Sequence, residues 1–87
     1  MIHARNDYQT RIQDSENKIP ADEPVFLLRA QDQVAAATLR HWIRLQKKAL
    51  KGVPKEKQNG AIKAIKLAEA QAYRFDDWQT KKVADVP

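Results

Sequence analysis

The strongest pattern in the sequence is a helical repeat over residues 32–51. At about 100° per residue, a mainly apolar set falls on one side of such a helix: Ala35, Thr38, Leu39, Trp42, Leu45 and Ala49, widened by Ile43 and Leu50. A basic set falls on nearly the opposite side: Arg40, Arg44, Lys47, Lys48 and Lys51. An amphipathic helix buries its apolar side against another element, so the chain must supply a packing partner for it.

The sequence KGVPK at residues 51–55 predicts the end of this helix and the start of a second one. Gly52 suits the left-handed residue that follows many helices, and Pro54 suits the first turn of the next helix. We expect the second helix to span residues 54–83. Because Gly60 costs about 1 kcal/mol relative to alanine inside a helix, the alternative is a looser turn over residues 54–59 and a helix that begins at Gly60.

The second helix has more apolar surface than one partner helix covers. At about 100° per residue, its apolar side chains spread over more than half of the circumference: Ile62, Ala64, Ile65, Leu67, Ala68, Ala72, Tyr73, Phe75 and Trp78. Both tryptophans of the chain, Trp42 and Trp78, fall on apolar sides and are predicted to lie in the core. The uncovered surplus is typical of an interface, and a homodimer is the simplest way to cover it.

Residues 19–31 contain the densest apolar run, Val25-Phe26-Leu27-Leu28. Pro20 and Pro24 disfavour helix in the residues before them, which predicts an extended segment. No second strand is recognisable in the sequence, and a lone strand leaves backbone groups unpaired. We therefore favour an unpaired segment that crosses the helical hairpin, and the alternative is a strand that pairs with its own copy in a dimer. Residues 1–18 are polar and are predicted to be an extended or mobile arm.

The positive charge is concentrated in the middle of the chain. The net charge of the 87 residues is +5, but residues 40–66 contain nine basic side chains and one acidic side chain, a net of +8. Six of the basic residues form a predicted cationic ridge at the tip of the hairpin: Arg40, Arg44, Lys47, Lys48, Lys51 and Lys55. Such a ridge could neutralise phosphates without sequence preference, or it could simply be a solvated face. No helix-turn-helix, RNA-binding or zinc-finger motif accompanies it.

The residues typical of catalytic and metal sites are scarce. There is no cysteine, the histidines His3 and His41 lack metal-ligand spacing, and neither glycine lies in a phosphate-binding pattern. The adjacent carboxylates Asp76 and Asp77 would point about 100° apart on a helix, so they do not converge on one atom. We therefore expect no enzyme activity, no metal and no cofactor.

One stretch of the sequence resembles a known group of proteins. RIQDSENKIPADEPVFLLRAQDQVA, residues 11–35, is similar to the N-terminal part of small, mostly uncharacterised proteins of tailed bacteriophages and prophages. The resemblance implies a phage accessory protein and supplies no catalytic residues. Its signature residues are Glu23, Phe26, Arg29, Gln31 and Asp32. Asp32 is predicted to cap the first helix, while Glu23 and Arg29 could pair with each other, hold the N-terminal arm or face a partner.

These patterns together predict an all-α protein of one domain. Its first helix covers residues 32–51 and its second covers residues 54–83. The two helices form an antiparallel hairpin that the extended segment crosses. Self-association could complete the hydrophobic core. The expected function is protein binding by a phage accessory protein that acts on host or defence machinery, and the alternative is nucleic-acid binding by the cationic ridge. With no apolar run long enough for a membrane span and no signal-peptide core, we expect a cytoplasmic protein.

Overall fold

A computed structural model describes residues 1–78 and residue 81. The described chain is mostly helical, with three α-helices, one short 3₁₀ helix and one two-stranded sheet. The predominance of helix agrees with the sequence analysis, whereas the sheet was not expected. The chain divides into two compact units, whose described parts are residues 1–29 and residues 30–78 with 81.

The first unit contains a parallel pair of two-residue strands. Strand β1 (Ile2–His3) pairs with β2 (Pro24–Val25), with Ile2 opposite Pro24 and His3 opposite Val25. The Ile2 N–H also donates to the carbonyl of Glu23 (2.8 Å). The expectation that the chain offers no second strand was therefore wrong, because β1 lies in the polar segment predicted to be a mobile arm. Two-residue strands are too short to produce the alternating pattern by which strands are recognised.

A short helix and one buried aromatic ring organise the rest of this unit. Helix α1 (Tyr8–Arg11) places the side chain of Tyr8 edge-on to the His3 ring, with the ring centroids 5.7 Å apart. The guanidinium groups of Arg5 and Arg11 lie 4.9 and 5.6 Å from the Tyr8 ring centre. Both also bond to Asp7, at 2.5 and 2.8 Å. Tyr8 is thus fixed by one buried ring and two cations.

A turn over QDSENK, residues 13–18, is held by one aspartate. The Asp14 carbonyl accepts the N–H of Asn17 (3.0 Å), and its carboxylate accepts the N–H of Ile19 (2.6 Å). Asn17 adopts a left-handed conformation, φ 54°, which asparagine tolerates better than most residues.

In the second unit, helix α2 (Ala35–Ala49) begins three residues later than Asp32, where the sequence predicts the cap. Val34 is the N-cap residue and makes no side-chain cap hydrogen bond. Asp32 instead closes a turn ahead of the helix, where its carboxylate accepts the N–H of Val34 (3.0 Å). The prediction that Asp32 is the N-cap was therefore wrong by position, because its side chain bonds two residues ahead, as aspartates do in turns.

A 3₁₀ helix (Leu50–Gly52) joins α2 to helix α3 (Lys55–Asp77). Neither glycine of the chain has a positive φ, so the predicted left-handed conformation of Gly52 was wrong. The tighter 3₁₀ turn satisfies the end of the helix instead. Helix α3 continues through Gly60 and ends at Asp77, because Trp78 is extended. The remainder of the predicted range, at residues 79, 80, 82 and 83, lies outside the described residues.

The core of this unit lies between α2 and α3. Ala35 and Ile43 of α2 and Ile65, Ala72 and Phe75 of α3 are buried. Two ion pairs join the helices along one edge: Arg40 bonds to Asp76 (2.5 Å), and Lys47 lies 3.7 Å from Glu69. The pairs follow opposite orders along the two helices, so the start of α2 lies beside the end of α3.

Candidate functional site

Helix α2 presents three different faces. One face meets α3 through Ile43 and its neighbours. The second face consists of basic residues. The third face is apolar and exposed: Trp42 is 41% exposed and Leu45 is 52% exposed. The prediction that Trp42 lies in the core was therefore wrong. The buried line of α2 is formed by Ala35 and Ile43; Trp42 lies about 20° from Ala35 but about 100° from Ile43, on the side of the helix away from the ion pairs.

Trp42 and Leu45 belong to a longer seam. Thr38, Trp42, Leu45 and Ala49 follow one another at intervals of four, three and four residues. This is the spacing of the apolar positions in a helix that packs along a second helix. The buried line of α2 already contacts α3, so this seam is a second, solvent-exposed line of side chains on the same helix.

Helix α3 carries an exposed leucine on the corresponding side. The buried line of α3 is formed by Ile65, Ala72 and Phe75. Leu67 is 62% exposed and lies about 130° from the middle of that line on the helix. On both helices the ion-paired residues lie on one side of the buried line, whereas Trp42, Leu45 and Leu67 lie on the other side. We refer to these three residues as the apolar face. Trp78, predicted to lie in the core, is also exposed, because it follows the last helical residue.

Three cations border the apolar face. Lys48 lies about one helical turn from Leu45 on α2. On α3, Lys63 lies about one turn before Leu67 and Arg74 about two turns after it, on the same side of the helix. The Arg74 guanidinium donates to the side chain of Gln71 (3.0 Å). Among the described residues, Lys48 and Lys63 have no side-chain partner. We call Lys48, Lys63 and Arg74 the cationic rim.

The structure divides the predicted cationic ridge into two groups. Arg40 and Lys47 are paired with acids of α3, and Arg40 also lies 5.7 Å from the Tyr73 ring centre. Arg44 contacts the His41 ring (3.3 Å). The other three residues are exposed and have no side-chain partner in the described part of the chain: Lys48, Lys51 and Lys55. Only this second group is open to bind an external anion without breaking an existing contact.

On the edge of the helix pair that carries the two ion pairs, the Arg40–Asp76 contact shifts the pKa values of both partners. The hydrogen bond from the Arg40 guanidinium holds the pKa of the Asp76 carboxyl below its ordinary value of 3.8. The same bond raises the pKa of Arg40. A groove of about 200 Å³ lies on this edge between the helices, and its charged lining residues are the cations Arg40, Arg44 and Lys47 and one acid, Glu69.

The signature residues of the N-terminal stretch are placed as follows. Phe26 is 66% exposed, and Glu23 and Arg29 are exposed without a side-chain partner among the described residues. Glu23 contributes its carbonyl to the hydrogen bond beside β1. Gln31 and Asp32 belong to the second unit. The predicted pairing of Glu23 with Arg29 is absent from the described ion pairs.

Of the cationic rim, only Lys48 was predicted from the sequence to belong to a candidate site. Lys63 and Arg74 were not assigned to one, and Leu67 was placed on the broad apolar side of the second helix without being singled out. The four-three-four spacing from Thr38 to Ala49 is the signal that could have revealed the seam. It was masked because the buried line and the seam merge into one broad apolar side on a helical projection.

In residues 1–78 and 81, no group of three histidine, aspartate or glutamate side chains is arranged to hold a metal ion. Within the same described residues, every helix is too short or too polar to cross a membrane. Comparison with known protein families, with curated proteins and with solved structures found no match to this chain.

Proposed function

We propose that this chain is a non-enzymatic accessory protein of a bacteriophage, acting in the host cytoplasm by binding another protein. The observation that carries the proposal is the apolar face. Large apolar side chains that are half exposed and share one side of a helix pair are typical of an interface. Tryptophan is also among the residues that contribute most to binding energy at interfaces.

The scaffold for this function is an antiparallel hairpin of α2 and α3. The buried line and the two ion pairs hold the helices together, which leaves the apolar face free for a partner. The phage origin rests on the resemblance of residues 11–35, and the action on host or defence machinery rests on that origin.

The test is affinity capture from a bacterial lysate with matched baits. The wild type is compared with Leu45→Ser combined with Leu67→Ser, which shortens two exposed side chains and leaves the core intact. Phe26→Ser removes an equally exposed apolar side chain in the first unit and serves as the control. We expect a protein that is retained by the wild type and by Phe26→Ser but lost by the double variant. A partner lost only with Phe26→Ser would contradict the proposal.

Nucleic-acid binding is the second candidate function. It is favoured by Lys48, Lys51 and Lys55, which are exposed and unpaired within the described residues. The test is a DNA and RNA shift assay at about 50 and 200 mM salt, between which phosphate contacts lose much of their affinity. Binding that Lys51→Glu with Lys55→Glu abolishes would support this candidate, and absence of binding at the lower salt would eliminate it.

A further inference from the structure

We propose that the partner segment is an acidic amphipathic helix, which lies along the apolar face between α2 and α3 as a third helix. This inference rests on the proposed function, because it specifies the chemistry of the partner for the same surface.

The first argument is the shape of the face. By helical phase, Trp42 and Ala49 of α2 and Ala64 and Gln71 of α3 lie toward the middle of the face, while Leu45 and Leu67 lie toward its outer margins. All four of the middle residues are exposed. Packed helices lie about 8–10 Å apart between axes, depending on the side chains at the contact. An exposed centre with one tryptophan among smaller side chains, between two apolar margins, therefore suits the apolar stripe of one incoming helix, a recurring mode of recognition.

The second argument is charge. The cationic rim provides positive charge on both margins, from Lys48 on α2 and from Lys63 and Arg74 on α3. The acids that α3 contributes to the helix contact, Glu69 and Asp76, lie on the opposite edge and are already paired. Glu56 in the first turn of α3 lies near one end of the face. A partner helix with acidic residues beside its apolar stripe would meet complementary charge on both sides.

The same charges disfavour a second copy of the chain as the occupant. A two-fold interface places the same patch on both sides. Two apolar faces brought together would set one cationic rim against another, and like charges across an interface oppose association. Residues 40–66 have a net charge of +8, so few acids are available on a second copy to offset this repulsion.

The test uses the full chain and synthetic peptides of about three heptads. The first peptide has leucine at the two apolar heptad positions and glutamate beside them. The second has the same composition in a shuffled order without an apolar stripe, and the third has lysine in place of glutamate. Each is titrated by calorimetry at about 150 mM salt, where charges separated by more than about 8 Å are largely screened.

We expect the first peptide to bind and the other two to bind at least about tenfold more weakly. Leu45→Ser with Leu67→Ser, and separately Lys48→Glu with Lys63→Glu, should each weaken binding of the first peptide by at least about tenfold. The matched control is Lys55→Glu with Lys66→Glu, which makes the same change in net charge on the side of α3 away from the apolar face. It should weaken binding by less than about threefold.

Three results would overturn the inference. Equal binding of the shuffled peptide, or an equal effect of the control variant, would mean attraction by net charge alone. A dimer in light scattering that Leu45→Ser with Leu67→Ser dissociates would mean that a second copy covers the face. Failure of the first peptide, together with lysate capture that depends on Leu45 and Leu67, would reject the acidic helix and leave the proposed function standing. Failure of both experiments would reject both.

Discussion

His3 is almost fully buried, 7% exposed, yet neither ring nitrogen has a hydrogen-bond partner among the described residues. Mutational data place the cost of such an unsatisfied buried group at about 1–3 kcal/mol. The apolar part of the ring is still useful, because it packs edge-on to Tyr8. His3 therefore stabilises the fold through the packing of its ring and destabilises it through its unsatisfied ring nitrogens.

We predict that His3→Phe raises the free energy of unfolding by about 1 kcal/mol, because it keeps a ring against Tyr8 and removes the unsatisfied nitrogens. Urea denaturation followed by circular dichroism measures the change. The control is His41→Phe, since His41 is exposed on α2, and it should have little effect. A destabilised His3→Phe variant would mean that the imidazole nitrogens make a contact essential to the fold.

Asp76 gives α2–α3 packing a dependence on pH. Its pKa is lower in the folded protein than its ordinary value of 3.8, chiefly through the hydrogen bond from Arg40. The stability from this pair is therefore fully present above that ordinary value and is lost as the pH falls through the folded pKa. We predict that Asp76→Asn flattens the decline of Tm between about pH 5 and pH 2.

The effect should be small, because the pair is partly exposed to solvent. The control is Asp77→Asn, since Asp77 has no ion pair within the described residues. Scanning calorimetry of both variants across this range makes the comparison, and identical acid profiles for Asp76→Asn and the wild type would contradict the prediction.

At the level of the elements, α3 contains one residue that weakens it. Gly60 lies within the helix, and a Cβ atom added there would meet nothing within 4 Å. We predict that Gly60→Ala raises the free energy of unfolding by about 1 kcal/mol, because alanine loses less backbone entropy in a helix. Denaturant titration measures it, with Ala64→Gly as the reciprocal change that should lower stability by a similar amount. A destabilising Gly60→Ala would mean that α3 is broken at this position.

The elements differ in how far the sequence predicts them, for physical reasons. A helical repeat extends through α2 and α3, so its period is visible over many residues. The helix start is decided by one local hydrogen bond, from Val34 to Asp32, which periodicity does not reveal. Strands β1 and β2 are held by a pairing of residues far apart in sequence, and two residues leave no period. The site was similarly hidden, because exposure of Trp42 depends on where α3 packs.

At the scale of the whole molecule, charge and apolar surface are expected to have separate roles in binding. Charges at the rim of an interface mainly govern the rate of association, whereas buried apolar anchors mainly govern dissociation. For the acidic peptide we predict that Lys48→Glu with Lys63→Glu lowers the association rate and its salt dependence. Leu45→Ser with Leu67→Ser should mainly raise the dissociation rate. Stopped-flow fluorescence measures both rates, and an unchanged salt dependence in the lysine variant would contradict this division.

The central claim is that the side of the helix pair opposite the ion pairs is a binding surface. The most direct measurement is a map of amide chemical-shift changes on the full chain as the acidic amphipathic peptide is added. We predict that the largest changes fall at Trp42, Leu45 and Leu67, with small changes at Arg40 and Tyr73 on the ion-paired edge. Changes that centre on Arg40 and Tyr73, or that spread evenly over the basic residues, would contradict the claim.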